Sequence, residues 1–310
     1  MSSSLDLRRP FAGRGYVVAS LVSSGIGYAF TTSFLALEVA APMQAVGALA
    51  LCVLMLLTGR SPFRRYQRPM WWPIARLTGG NAAVAVLYPF AVQRLNLGTV
   101  AAVVVLGYLS VGFKRIWLLR STAWGFKHLC GRALVVGGIV MLNWPLQGGI
   151  VGLLCAFGSA LCVWNTVTVL GTMNDHGLAD QGATFANLLS APVLFALVFL
   201  LRGGDWVSRE LFLVAGLAGL LTLMLPVLFT NAALRRVSKL DVGVMQSLST
   251  PVHAMVALVG AALGRLPSDQ RLSFPDWAAI LLIAGAAFGV SSLREPSGGA
   301  LRVGTQTSGK

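Results

Sequence analysis

The sequence predicts an all-α integral membrane protein of ten transmembrane helices, arranged as two inverted five-helix repeats. Three observations lead there. Of the 310 residues, 56% are hydrophobic and 11% are charged, with a mean hydropathy of +0.75; soluble proteins carry about 25% charged residues. The apolar residues come in ten long runs, which separates the chain from a secreted protein with one cleaved leader. The basic residues between runs are unevenly spread. With the amino terminus in the cytoplasm, nineteen Lys and Arg fall on the cytoplasmic side and five outside, the asymmetry of positive-inside topology.

In chain order, residues 1–15 form a polar, basic cytoplasmic tail carrying Arg8, Arg9 and Arg14. Tyr16–Leu37, Ala40–Leu57, Trp72–Val92, Leu97–Leu118 and Lys127–Asn143 are the spans of a first repeat, residues 16–143. Gly148–Leu170, Thr184–Leu201, Leu211–Asn231, Val242–Gly264 and Asp276–Leu293 are those of a second, residues 148–293. Most reach the ~17–25 residues that cross about 30 Å of hydrocarbon. Lys114 and Arg115, in the fourth span's last turns, snorkel to the cytoplasmic surface. Trp71 and Trp72 fit an interfacial aromatic belt. The tail 294–310, with EPSGG and TQTSGK, reads as disordered; ten spans and the Lys/Arg split put both termini in the cytoplasm.

Five spans is an odd number, so the second half sits upside down relative to the first. That is the plan of secondary transporters, with the substrate site near the midplane between halves. AVQRLNLGTV from Ala91 opens the fourth span, and ALRRVSKLDV from Ala233 opens the ninth.

The ninth span carries the strongest site signal. Pro251 sits in its middle and removes a backbone donor while crowding the carbonyl of Ser247, which marks a hinge. In a bilayer such a break is tolerated where the helix lines a cavity or packs on neighbours. Gln246, Thr250 and His253 are spaced four and three apart and share a helical face. The opposite face is apolar apart from Ser249. His253 is the only titratable residue well inside a span, and an intramembrane ionisable group points to function.

Further candidates fall at helical spacing. Ser20, Ser24 and Tyr28 share a face of the first span, and Asn81 and Tyr88 share one of the third. Tyr108 lies in the fourth, Trp164, Asn165 and Thr168 in the sixth, Asn187 and Ser190 in the seventh. Amides and hydroxyls bind the ends of a zwitterion, and Tyr and Trp give an apolar wall with a polar handle. Each also fits a plain interhelical hydrogen bond, worth about 0.6 kcal/mol on average, which is the more ordinary reading for a single Ser or Thr.

The net charge of +14 does not mark a nucleic-acid binder, because the charges sit in short loops between spans. No Asp or Glu lies inside a span and no Lys or Arg near a midplane. A phosphate ester would call for buried cations, so the expected cargo is neutral or zwitterionic, an amino acid or small amphipathic compound. Cys52, Cys130, Cys155 and Cys162 show no metal-site spacing and read as small apolar fillers, and no cofactor is expected. An intramembrane enzyme using His253 would need a paired acid, metal ligands or a nucleophile near it, and no acid or His-rich motif accompanies it. The inverted halves disfavour a passive channel. Gly148 and Gly152, Gly260 and Gly264, and Gly285 and Gly289 are small-xxx-small pairs that admit close helix contact; a homodimer is left open.

The second half also carries a family likeness. GGIVGLLCAFGSALCVWN from Gly148, ALRRVS from Ala233, Pro251, Leu263–Gly264 and the Ile283–Gly285 stretch do so, with VGGIV from Val136 in the first half. In these the chain resembles the drug/metabolite transporter superfamily, specifically its EamA-type exporters. The likeness covers residues 16–293. It implies ten spans in two repeats, alternating access, export of a small metabolite and a bacterial inner membrane. The alternative within the superfamily is a nucleotide-sugar or organophosphate antiporter. The chain departs from the family pattern at Arg265 after Gly264, where Glu is usual, and at Tyr108–Ser110, where the fourth span usually has proline.

Overall fold

The computed structural model describes residues 3–31, 36–63, 66, 68–95, 97–142, 149–202, 208–262 and 274–293. About 89% of the described residues are helical and none is in a strand. The expected carboxy-terminal tail, together with Gly148 and Gly264, lies outside the described residues.

The chain begins with α1 (Ser3–Thr31), α2 (Ala36–Leu57) and α3 (Arg68–Val92). Helix α1 starts at Ser3, so most of the expected tail continues the first helix. Contacts hold it there. Arg14 Nη2 donates to the Ser291 carbonyl at 2.5 Å, and Gly13 lies so close to Val237 that a Cβ would stand 2.9 Å from its Cγ1.

The fourth expected span ends early. Helix α4 (Leu97–Ser110) stops before Gly112, whose φ of +68° is a left-handed turn that glycine adopts without steric cost. The short α5 (Phe113–Leu118) then carries Lys114 and Arg115 exposed. Arg132 of α6 (Ala123–Leu142) closes the open end of α4. Its guanidinium donates to the Leu109 and Val111 carbonyls, the latter at 3.0 Å. A cation at a helix carboxyl end satisfies free acceptors and complements the helix dipole.

Two unbroken helices follow, α7 (Ile150–Asp175) and α8 (Ala179–Arg202). The next two rods are distorted. Ser208 caps α9 (Arg209–Gly219), which passes through a π-helical turn at Leu220–Met224 into α10 (Leu225–Leu234). Pro226 cannot donate to the carbonyl four residues back, and the wider turn absorbs the mismatch. A Ser238–Asp241 capping box opens α11 (Lys239–Met245), which tightens into a 3-10 turn at Gln246–Leu248 before α12 (Ser249–Ala262). That turn lies just ahead of Pro251 and accommodates it. Helix α13 (Phe274–Ser291) is last.

Among the described residues, five helical segments are long and apolar enough to cross a membrane: Glu38–Leu57, Ile150–Asp175, Ala179–Leu201, Arg209–Leu234 and Leu240–Ala262. Thr99–Ser110 and Trp277–Ser291 are apolar but shorter. Large apolar side chains such as Leu57, Leu154, Leu200 and Leu281 are exposed on the outer surface, as a lipid-facing surface requires.

The contacts between helices come in corresponding sets. Helix α3 packs on α7 as α1 packs on α10, and α4 packs on α7 as α1 packs on α12. Likewise α2 packs on α9 and the π turn as α3 packs on α8. Three further pairs, α2–α8, α4–α12 and α6–α13, bridge the two halves directly. Backbones approach closely at small residues. A Cβ on Gly107 would stand 2.0 Å from the Ala160 carbonyl oxygen, and one on Gly219 would stand 2.1 Å from that of Met43. Of the expected glycine pairs, Gly285 and Gly289 face open space, because α13 turns its other face to α6.

Candidate functional site

A cavity of about 200 Å³ lies where these helices converge. Side chains from α1, α2, α3, α4, α7, α8, the π turn, α10, the 3-10 turn and α12 line it; α6 and α13 contribute none. None of its lining residues is an Asp, Glu, Lys or Arg.

His253 stands at its wall, buried, between two hydroxyls. The Tyr88 hydroxyl lies 3.1 Å from Nδ1 and the Ser24 Oγ 3.4 Å from Nε2. Ser24 spends its one proton on the Leu21 carbonyl at 3.0 Å. Its oxygen therefore accepts from Nε2–H, which leaves Nδ1 to accept from Tyr88. This network assigns the Nε2–H tautomer. The Tyr88 ring stacks on Tyr28, with centroids 4.1 Å apart and planes 27° apart. The stack joins α1 to α3 at the cavity wall.

A second polar group sits across α2, α3 and α8. The Asn187 Oδ1 accepts from Gln44 Nε2 and from Asn81 Nδ2, both at 2.8 Å. Gln44 Nε2 also donates to Ser190 Oγ at 2.6 Å, and Asn187 Nδ2 to the Ala183 carbonyl at 2.9 Å. Ser20 and Thr230 meet at 3.3 Å and tie α1 to α10.

Of the residues expected from sequence, the cavity gathers His253, Gln246, Asn81, Tyr28, Tyr88 and Tyr108. Pro251 is buried next to the 3-10 turn. Thr250, Trp164 and Asn165 do not line it.

Thr250 is displaced by the 3-10 turn. Along an unbroken α-helix, at about 100° per residue, Thr250 would sit about 40° from Gln246. Three steps at the 3-10 value of about 120° carry Ser249 into line with Gln246 and turn Thr250 about 100° away. Ser249 thus lines the cavity and the face called apolar supplies a polar wall residue, with its Oγ unpartnered. Thr250 is buried against the bundle instead, its Oγ1 also unpartnered.

Helix α7 is regular, and Val163, Thr166, Val167 and Leu170 form its cavity face. Trp164 falls off that stripe and is exposed. Asn165 turns to Arg76, accepting from Nε at 2.8 Å and donating to the Arg76 carbonyl at 3.0 Å. Arg76 is thereby occupied away from the cavity. The sequence reading passed over Thr222, Thr166 and Thr230, which also line it. Single hydroxyls in apolar runs carry little signal; Thr222, four residues before Pro226, was the one with a positional clue.

Among the described residues no three His, Cys, Asp or Glu side chains come together as a metal site. No family model matches this chain, and no curated protein sequence matches it. A protein of solved crystal structure is similar to it in fold, with a TM-score of 0.65 over 94% of this chain and 97% of the other. The two are 19% identical, so the likeness shows a shared fold and nothing of cargo or activity.

Proposed function

We propose that the protein is a secondary transporter that exports a small neutral or zwitterionic metabolite by alternating access. The observation that carries this reading is the uncharged cavity, mostly apolar with a few convergent polar groups, walled by both halves of the chain and bordered by proline-distorted helices. Broken helices meeting at a central site are the building plan of such transporters.

In this reading the chain crosses the membrane ten times. The five long apolar helices are joined by α1, α3, α4, α6 and α13. The corresponding contact sets support two five-helix repeats, since shifting every partner by five spans reproduces them. An odd repeat then gives inversion, with both termini in the cytoplasm of a bacterial cell and an inner-membrane location. These features agree with the EamA-type resemblance.

Cavity size and charge bear on cargo. About 200 Å³ is below the ~300–1,000 Å³ typical of sites for drug-sized ligands. It suits an amino acid or a compound of that size and is small for a nucleotide sugar. No cation faces it to hold a phosphate. Ser20, Ser24, Asn81, Thr222 and Gln246 set polar groups in its lining, with Val104, Val163 and Leu223 as apolar wall.

A screen in proteoliposomes, with and without a pH gradient, tests this. Counterflow of a labelled neutral amino acid or small amphipathic compound is the expected result. Exchange confined to sugar nucleotides would select the antiporter, and movement of no solute would remove the transport reading.

A further inference from the structure

A second cavity of about 310 Å³ lies between the ends of α2, α8 and α10. Helix α2 packs on α9 and the π turn but makes no comparable contact with α10, so the two diverge toward this end. Val227 lines both cavities, placing the second as a vestibule to the first. By the positive-inside reading this is the cytoplasmic end.

The vestibule carries the charge that the central cavity lacks. The Asp180 carboxylate pairs with Arg60 at 3.0 Å and also with Arg235. One carboxylate thus serves two guanidinium groups and leaves a unit of positive charge uncompensated. Asn231 lines the same space, is 2% exposed, and has neither amide atom hydrogen-bonded. A buried amide with both ends free is costly unless something else comes to it. The hydroxyls of Thr58 and Thr184 are already donating to backbone carbonyls, so Asn231 Nδ2 and the two arginines are the donors on offer. Leu51, Met55 and Leu228 form an apolar wall.

Resting on the transport reading, we propose that this vestibule is a recruitment site for the substrate, and that the substrate is an α-amino acid with an apolar side chain. Its carboxylate takes the place of Asp180 on Arg60 and Arg235. Its ammonium group goes to Asn231 Oδ1 and its side chain to the Leu51–Met55–Leu228 wall. Asp180 is a tethered carboxylate that holds the arginines between loads. Arg60 and Arg235 are about half exposed, so their pairs with Asp180 are weak enough for a free carboxylate to displace. Handing the amino acid on past Val227 leaves both arginines behind, which reconciles a charged mouth with an uncharged centre.

The probes are L-leucine, 4-methylpentanoate (no ammonium) and leucinamide (no carboxylate). The readout is protection of Leu228→Cys from a thiol reagent, in phosphatidylcholine nanodiscs, with the four native cysteines replaced by serine. Leucine and 4-methylpentanoate slow labelling and leucinamide does not. Asp180→Asn removes the tethered competitor and lowers the half-protecting leucine concentration about fivefold. Arg60→Gln with Arg235→Gln abolishes protection, and Asn231→Ala weakens leucine more than 4-methylpentanoate. Equal protection by leucinamide, or no response to Asp180→Asn in protein that elutes as a folded species, overturns the proposal. So does protection by added phosphatidylglycerol with none by 4-methylpentanoate, which would assign the arginines to a lipid headgroup. Protection without leucine flux in proteoliposomes keeps the site and removes the transport reading; flux without protection does the reverse.

Discussion

Gly25 of α1 lies directly against the His253 ring of α12. A Cβ at Gly25 would stand 2.7 Å from Cδ2 and 3.3 Å from Nε2. The absence of a side chain on one helix is what lets the imidazole of the other stand between Ser24 and Tyr88. Gly25→Ala therefore displaces the ring from both hydroxyls. Transport per inserted molecule should fall about tenfold or more, the loss of a positioned hydrogen bond or two. Gly79→Ala is the matched control, since nothing lies within 4 Å of a Cβ there. Equal activity in the two variants would detach His253 from the transport cycle.

Tyr88→Phe keeps the stack on Tyr28 and removes only the hydroxyl that donates to Nδ1. Stability should fall by about 1–3 kcal/mol at most, the cost of leaving the buried Nδ1 without its donor. The tautomer should respond more than the fold. In ¹⁵N spectra of histidine-labelled protein, Nδ1 of His253 gives an acceptor shift in the wild type and moves toward a free-nitrogen shift in the variant. An unchanged shift would mean that the Tyr88 proton points elsewhere.

Asn187→Leu takes away the acceptor shared by Gln44 and Asn81 and strands one N–H of each, the Asn81 amide being part-buried and Gln44 Nε2 keeping its bond to Ser190 Oγ. Each stranded group costs about 1–3 kcal/mol. The melting temperature in detergent should fall markedly. Ser190→Ala should cost less, because Gln44 Nε2 keeps its bond to Asn187 Oδ1. Equal melting of the two variants would show that Asn187 is not the hub.

Gly107→Ala drives a methyl group into the backbone of α7 at Ala160, where nothing flexible can yield. Helices α4 and α7 must separate, at a cost of about 1–3 kcal/mol. Lower yield of inserted protein and a lower melting temperature are expected. Gly137→Ala, facing open space on α6, should do neither.

The apolar runs made the helices legible, because a bilayer admits few other ways to satisfy a backbone. The Ser20–Ser24–Tyr28 stripe and the Asn81–Tyr88 pair were legible for the same reason that α1 and α3 are regular there: spacing maps directly onto a face. The ninth expected span was misread where the helix itself changes period. Gln246 and His253 reach the cavity, yet Thr250 gives way to Ser249, because a three-residue 3-10 turn is invisible to counting at 3.6 per turn. Trp164 and Asn165 failed differently. Their polarity marked them, but Arg76, two turns into α3, claimed Asn165, and Trp164 falls off the cavity stripe. The end of α4 was hidden because Gly112 and Arg132, twenty residues apart, close it together.

Helices α6 and α13 meet along a seam of their own. Val290 seats against Gly131 and Ile283 against Gly138, two turns apart on antiparallel partners. Neither helix reaches the cavity. In the proposed transport cycle the couple would serve as a strut, tying the two halves together while the remaining rods tilt beneath it. Membrane thickness, felt first along this outer seam, would then set how far the halves can swing.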